Sequence, residues 1–171
     1  MRPADLKRHA GRCPYRLLFV DVDGTIGCAD SPETPVQGAV SALRQVSAES
    51  ICRLVVISNG DTVTQSQRLQ QWGMGDIFDF ILCPDSTGFR KPDPRIYRLA
   101  MSYYPRIPVT QIVMVGDSLF KDIAPARQLG LGALWYNPTN RPFTGERRPT
   151  VTVKNWFEIL NFLGFKESII G

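Results

Sequence analysis

Apolar and polar residues alternate along the chain in blocks that predict strands and helices in turn. Short apolar runs typical of buried strands occupy residues 16–22, 51–58, 78–83, 111–116, 132–137 and 150–153. Segments with apolar residues at helical spacing occupy residues 34–48, 61–72, 119–130 and 155–163, and a further helix opens at Asp93 and Pro94. Because parallel strands need crossover connections, which are usually helices, this alternation predicts a parallel sheet.

The strands are too continuously apolar for a sheet with one solvated face, so we expect helices on both faces. The predicted fold is a single α/β domain over residues 16–171, preceded by a basic N-terminal tail at residues 1–15. Thr34 is the expected N-cap of the helix at residues 34–48. Pro125 predicts a kink or a late start in the helix at residues 119–130.

The composition is that of one ordinary domain, with 171 residues of which 43% are hydrophobic. The formal net charge of +4 suits an anionic substrate, but the basic residues are scattered and acidic residues are nearly as numerous. This distribution favours an ordinary solvated surface over a nucleic-acid interface.

The cysteines and the N-terminal residues give no sign of a zinc site, a redox motif or export. The four cysteines show no CxxC spacing, and the one histidine, His9, lies in the polar tail. No apolar run reaches the length of a membrane span, and the N-terminus lacks the apolar centre of a signal peptide. We therefore expect a cytoplasmic protein with reduced thiols.

Polar residues of the kind found in active sites follow four of the predicted strands. They are Asp21 and Asp23 after the first strand, Ser58, Asn59 and Gly60 after the second, Lys91 after the third, and Asp117 and Asp122 after the fourth. Ligands of parallel sheets bind at the carboxyl ends of the strands, so we expect these groups to converge at one edge. Carboxylates at the end of an apolar run are costly unless a cation compensates them.

This set of residues supports phosphoryl transfer. Asp21 and Asp117 would form an oxygen-rich pocket for Mg2+, and the Asp21 carboxylate could attack a phosphorus atom in line. Asp23 would carry protons to the leaving oxygen and from the attacking water. Phosphoryl oxygens would bind at Ser58 and the amides after it, and Lys91 would balance developing charge.

The motifs "FVDVDGT", "VVISNG", "KPDP" and "VGDSLFKD", in this order, resemble those of haloacid dehalogenase (HAD) superfamily phosphatases, with a core similar to the nucleotidase-like members. The resemblance implies a HAD-like Rossmannoid fold and the same roles for Asp21, Asp23, Ser58 and Lys91. It also implies that Mg2+ is held by Asp21, the Asp23 carbonyl and Asp117, with Asp122 a ligand or a carboxylate behind the ligands.

Members of this family usually select substrates with a cap domain inserted near the first motif or between the second and third. The short segments between Asp23 and Ser58, and between Ser58 and Lys91, leave no room for a cap. An open site should accept either a phosphoprotein or a phosphorylated small molecule, the latter sealed in by a second copy of the chain. Arg141, Arg147 and Arg148 either reach such an anionic substrate or belong to a solvated loop.

The leading hypothesis is a magnesium-dependent phosphatase that hydrolyses a phosphate monoester through an aspartyl-phosphate intermediate. Three alternatives fit the same residues. They are a phosphotransferase that uses an acceptor other than water, a nucleic-acid end phosphatase, and a non-catalytic module that binds a phosphorylated ligand. Salt-sensitive binding to oligonucleotides is expected only of the second.

Overall fold

Six parallel strands form the sheet at the centre of the protein. They are β1 Leu17–Val20, β2 Arg53–Ile57, β3 Phe80–Leu82, β4 Ile112–Gly116, β5 Gly132–Tyr136 and β6 Val151–Val153. The computed structural model describes residues 13–49 and 52–165. The strand order is β3-β2-β1-β4-β5-β6, and every paired neighbour is parallel. The predicted parallel α/β sheet is confirmed.

Helices connect the strands from β1 to β5, a loop joins β5 to β6, and one helix follows β6. The helices are α1 Ala39–Ala48, α2 Thr62–Gln71, α3 Pro84–Thr87, α4 Pro94–Ser102, α5 Ala124–Gln128 and α6 Trp156–Leu163. A 3-10 turn at Val109–Gln111 precedes β4, and a π-helical turn at Leu119–Ile123 runs directly into α5. Strand and helix alternate as far as β5, and two successive strands and a final helix then follow, as the hydrophobic pattern predicts.

Both faces of the sheet are covered, because alternate side chains of each strand point to opposite faces. On one face, Leu18 and Val20 of β1 share a buried core with residues of α1, α2 and α6. On the other face, Leu17 and Phe19 share a buried core with residues of α4 and α5. The sheet is therefore buried on both sides, and polar groups concentrate at the ends of its strands.

Three local predictions differ from the structure or are refined by it. Helix α1 begins at Ala39 rather than after Thr34, because the Thr34 carbonyl accepts a hydrogen bond from the Cys28 amide (2.9 Å) in the loop after β1. The predicted N-cap is therefore wrong. Pro125 lies in the first turn of α5, which agrees with a late start. The short helix α3 follows β3 where the sequence indicates only a loop.

The described residues contain no cap domain. Between Asp23 and Ser58 they form α1 and β2, and between Ser58 and Lys91 they form α2, β3 and α3. Within residues 13–49 and 52–165, no helix has the length and apolar character needed to cross a membrane. Residues 1–12 of the predicted N-terminal tail, including His9, lie outside the described residues.

Candidate active site

A cavity of about 670 Å³ opens at the carboxyl ends of the strands. Of the eight residues that follow the predicted strands, six line this cavity: Asp21, Asp23, Asn59, Lys91, Asp117 and Asp122. Ser58 and Gly60 are not among the described lining residues. The two central strands place the acidic residues together, because Val20 of β1 is in register with Val115 of β4. The Asp21 amide continues this pairing by donating to the Val115 carbonyl (3.0 Å).

Three carboxylates meet at the base of this cavity. Asp21, Asp117 and Asp122 each offer an oxygen atom, and these oxygens lie within 4.8 Å of one another. The Ser118 amide donates to Asp122 Oδ2 (3.0 Å) and fixes this side chain against the end of β4. A donor set made only of carboxylate oxygens suits a hard divalent cation, and the residues present therefore fit Mg2+.

Lys91 brings a buried positive charge to the same cluster. Its Nζ donates to Asp21 Oδ1 and to Asp122 Oδ1, both at 2.6 Å, and the residue is only 3% exposed. The Asn59 side chain holds the backbone of Lys91 by accepting from its amide (2.8 Å) and donating to its carbonyl (2.9 Å). The loop after β2, through Asn59, thus fixes the position of the Lys91 backbone.

The site carries an excess of negative charge in a poorly solvated place. Burial raises the pKa of Asp21 to about 6, with Lys91 opposing the rise and Asp122 adding to it. Burial is also the first cause of the raised pKa values of Asp117 and Asp122. Burial lowers the pKa of Lys91, but Asp122 and Asp21 outweigh this effect and raise it. A bound divalent cation would offset the unbalanced charge.

Two glycines permit the carboxylates to pack closely. Gly24 has a φ of 82°, and a Cβ there would lie 2.7 Å from Asp117 Oδ2. A Cβ on Gly116 would overlap the Asp122 carboxylate. The carboxylate cluster therefore requires residues without a Cβ at two positions, Gly24 after β1 and Gly116 at the end of β4.

The residues predicted to bind phosphate are arranged in two different ways. Ser58 is fully buried, and its Oγ accepts from the Gly60 amide (3.1 Å), which leaves the hydroxyl proton free to donate. Asn59 lines the cavity, but both polar atoms of its side chain bond to the backbone of Lys91. Its side chain thus has a structural contact that the sequence did not reveal.

Asp23 lies at the cavity with partners that sequence analysis missed. Its side chain is 53% exposed and accepts from Arg68 Nη1 (2.6 Å) and Gln65 Nε2 (3.0 Å). Both partners belong to α2, which reads in the sequence only as a polar helix. The available signal was their position beside Leu69, on the face that must contact the sheet.

The far side of the cavity is formed by the loop after β5. Trp135 Nε1 and Arg141 Nη2 both donate to the Asp117 carbonyl, at 3.0 and 2.7 Å. Arg141 also lines the cavity, whereas neither Arg147 nor Arg148 is among the described residues that do. The structure thus brings one of the three predicted arginines to the site.

Comparison with known proteins places these features in a family. A family model of haloacid dehalogenase-like hydrolases matches residues 15–130, which include the four sequence motifs. The chain is 30% identical over 130 residues to the pyrimidine 5'-nucleotidase YjjG of Escherichia coli, covering 76% of this chain and 57% of that protein. It is 32% identical over 106 residues to a phosphoserine phosphatase of Thermus thermophilus, covering 62% and 42%.

Solved structures show the same architecture. The HAD-hydrolase YfnB from Bacillus subtilis, solved with bound magnesium, superposes with a TM-score of 0.73 and 26% identity over 78% of this chain and 58% of that one. An uncharacterised protein from Listeria monocytogenes shares the fold with a TM-score of 0.69 at 23% identity, over 86% of this chain and 98% of that one. The chain spans about half the length of the curated relatives it matches.

Proposed function

We propose that this chain, which belongs to the haloacid dehalogenase-like hydrolase family, is a magnesium-dependent phosphatase that hydrolyses phosphate monoesters through a phosphoryl group carried on Asp21. One observation carries the proposal. The Asp21 carboxylate contacts the Lys91 ammonium and lies in one cluster with the carboxylates of Asp117 and Asp122, at a cavity that could admit a phosphate ester. Its buried, hydrogen-bonded setting suits a nucleophile better than a surface charge.

In the first half-reaction, an oxygen of Asp21 attacks phosphorus while the bond from phosphorus to the leaving oxygen breaks. Asp23 gives its proton to that oxygen, so an alcohol is released and an acyl phosphate remains on Asp21. Lys91 stabilises the negative charge at the attacked group. Bound Mg2+, held by Asp21, Asp117, the Asp23 carbonyl and directly or indirectly by Asp122, would polarise the phosphoryl oxygens.

In the second half-reaction, water attacks the phosphorus atom and its proton passes to Asp23. The bond from phosphorus to the Asp21 oxygen then breaks, which releases inorganic phosphate and restores both aspartates. Ser58 would donate its hydroxyl proton to a phosphoryl oxygen in both steps, with the backbone amide of Asn59 as a further donor to the phosphate. The hydrogen bond from the Gly60 amide to Ser58 Oγ supports this orientation of the hydroxyl.

The proposed substrate is a phosphorylated small molecule. The cavity volume of about 670 Å³ falls in the range of small-molecule sites. The relatives are named as a pyrimidine 5'-nucleotidase and a phosphoserine phosphatase, which act on phosphorylated small molecules. A phosphoprotein substrate, and a second copy of the chain that covers the open site, are alternatives that the test must separate.

The test measures phosphate release from 4-nitrophenyl phosphate with Mg2+ and with EDTA, in the wild type and in Asp21→Asn. We expect turnover only in the wild type with Mg2+. A panel of 5'-nucleotides, phosphoserine and phosphopeptides then identifies the substrate class, and product analysis with added alcohols separates hydrolysis from transfer. A wild type that binds these phosphate esters without releasing phosphate from any of them would contradict the proposal and favour a binding module.

A further inference from the structure

Helix α2 buries polar side chains on the face that packs toward the active-site loop. Gln65, Arg68 and Trp72 stand at spacings of three and four residues, so they share one side of the helix. Gln65 and Arg68 are only 2% and 4% exposed. Arginine is almost never fully buried without a partner, and a buried stripe of this kind calls for a specific contact.

That contact is Asp23. Arg68 Nη1 donates to Asp23 Oδ1 (2.6 Å), and Gln65 Nε2 donates to Asp23 Oδ2 (3.0 Å), so each carboxylate oxygen is held by a different side chain of α2. Arg68 Nη1 also donates to Gln65 Oε1 (3.1 Å), which ties the two donors together. Asp23 nevertheless remains 53% exposed and lines the cavity.

Arg68 is itself fixed from two other directions. Its Nη2 donates to the Pro32 carbonyl, and its guanidinium lies over the Trp72 ring at 4.9 Å. Trp72 in turn donates from Nε1 to the Glu33 carbonyl (3.0 Å). An arginine held in this way has few alternative rotamers, so it can restrict the orientation of the aspartate that it binds.

We propose that Arg68, assisted by Gln65, is a positioning residue that orients the Asp23 carboxyl group for proton transfer. This inference rests on the proposed function, because it assigns a role to Asp23 in phosphate-ester cleavage. When the bond from phosphorus to the leaving oxygen breaks, an alkoxide needs the Asp23 proton, whereas 4-nitrophenolate leaves without one. Loss of orientation should therefore harm alkyl esters and spare the aryl ester.

The experiment compares kcat/KM for an alkyl phosphate and for 4-nitrophenyl phosphate, because kcat/KM reports the steps up to release of the leaving group and does not depend on the later hydrolysis of the phosphoenzyme. For Arg68→Met we expect a loss of about tenfold or more on the alkyl ester and of less than about threefold on the aryl ester, a fraction of what proton transfer contributes. Arg53→Met is the matched control. It removes the Arg53–Asp79 ion pair (2.6 Å) at the amino end of β2, away from the cavity, and should leave both values unchanged.

A mutational cycle separates positioning from a general effect on the fold. In the Asp23→Asn background, Arg68→Met should cause no further loss on the alkyl ester, since an asparagine amide cannot transfer a proton to the leaving oxygen. Gln65 contacts Asp23, whereas the contacts to Pro32 and Trp72 are those of Arg68. Gln65→Met should therefore also reduce kcat/KM more for the alkyl ester than for the aryl ester, by a smaller factor than Arg68→Met. Should Arg68→Met fail to fold, the comparison of the two esters in Gln65→Met decides the matter.

Equal losses on the two esters in these variants, or additive losses in the Asp23→Asn background, would overturn the positioning role and leave the proposed function intact. A wild type that turns over neither ester would overturn the proposed function and this role together. Selective loss on the alkyl ester that disappears with Asp23 supports the inference.

Discussion

Lys91 Nζ lies 2.6 Å from Asp21 Oδ1, although 70 positions separate the two residues in the chain. Both side chains are nearly inaccessible to solvent, and the contact joins the end of β1 to the loop that precedes α4. The ammonium offsets the cost of burying the Asp21 carboxylate. It also places a positive charge where it would stabilise the negative charge of a bound phosphoryl group. The same residue thus serves stability and the proposed chemistry.

Replacing Lys91 with methionine should reduce both activity and stability. The variant removes charge stabilisation worth roughly 10²- to 10³-fold in kcat. It also leaves Asp21 and Asp122 without their buried partner, which costs about 3–5 kcal/mol of unfolding free energy. Steady-state kinetics and urea unfolding measure the two effects, and Lys154→Met at an exposed site is the control. A Lys91→Met protein with the kcat of the wild type would remove Lys91 from the mechanism.

The metal-free protein should lose stability as the pH rises from about 4 to about 6. Burial raises the pKa of Asp21 to about 6, so the folded state favours the protonated carboxyl. A carboxyl group whose pKa is higher in the folded state than in the unfolded state stabilises the folded protein at acid pH. That contribution disappears as the group ionises. Since Mg2+ binds the ionised carboxylates, the melting temperature difference between Mg2+ and EDTA should grow across this window. A difference that is independent of pH would contradict this account of the cluster.

Asp117→Asn should stabilise the metal-free protein at neutral pH. Burial first, and then the charge of Asp21, raises the pKa of Asp117, so a neutral side chain of the same shape relieves an unfavourable ionisation. The variant should melt above the wild type in EDTA and gain nothing from Mg2+. Thermal melts of both proteins test this, with Asp76→Asn as a control at an exposed ion pair. An undiminished gain from Mg2+ in Asp117→Asn would exclude Asp117 as a ligand.

Gly24→Ala should weaken Mg2+ binding, because the new Cβ would lie 2.7 Å from Asp117 Oδ2. Gly73→Ala is a matched control, since Gly73 also has a positive φ (70°), but a Cβ added there would have no neighbouring atom within 4 Å. Both variants should lose about 1–2 kcal/mol from the left-handed backbone alone. Titration with Mg2+, followed by melting temperature, should show reduced affinity only in Gly24→Ala. Equal affinities in the two variants would mean that Gly24 does not control the position of Asp117.

The sheet and the convergence of its acidic ends follow from simple sequence rules. Continuous apolar runs predict strands that are buried on both faces, and parallel strands bring their carboxyl ends to one edge. For this reason Asp21, Lys91 and Asp117 could be expected at one place from the residues alone. These rules use only hydrophobic periodicity and the positions of strand ends, so they predict the sheet and the place where its polar ends meet.

Contacts between distant polar side chains escape such rules. The partners of Asp23 lie 42 and 45 positions away on α2. Their place beside Leu69 indicates that they face the sheet, but it does not indicate which side chain they bind. The bonds from Asn59 to the backbone of Lys91 likewise depend on how two loops meet. Thr34 looks like an N-cap locally, yet pairing with the loop after β1 takes its carbonyl and delays the helix to Ala39.

The central claim is that Asp21 becomes transiently phosphorylated during turnover, and trapping that species tests it most directly. Wild-type protein is mixed with substrate and Mg2+, quenched in acid and treated with borohydride, which reduces an aspartyl phosphate to homoserine. We predict homoserine at position 21 in the peptide mass spectrum, and none in Asp21→Asn or without substrate. Rapid phosphate release with an unmodified Asp21, or with the reduced residue at another aspartate, would contradict the account.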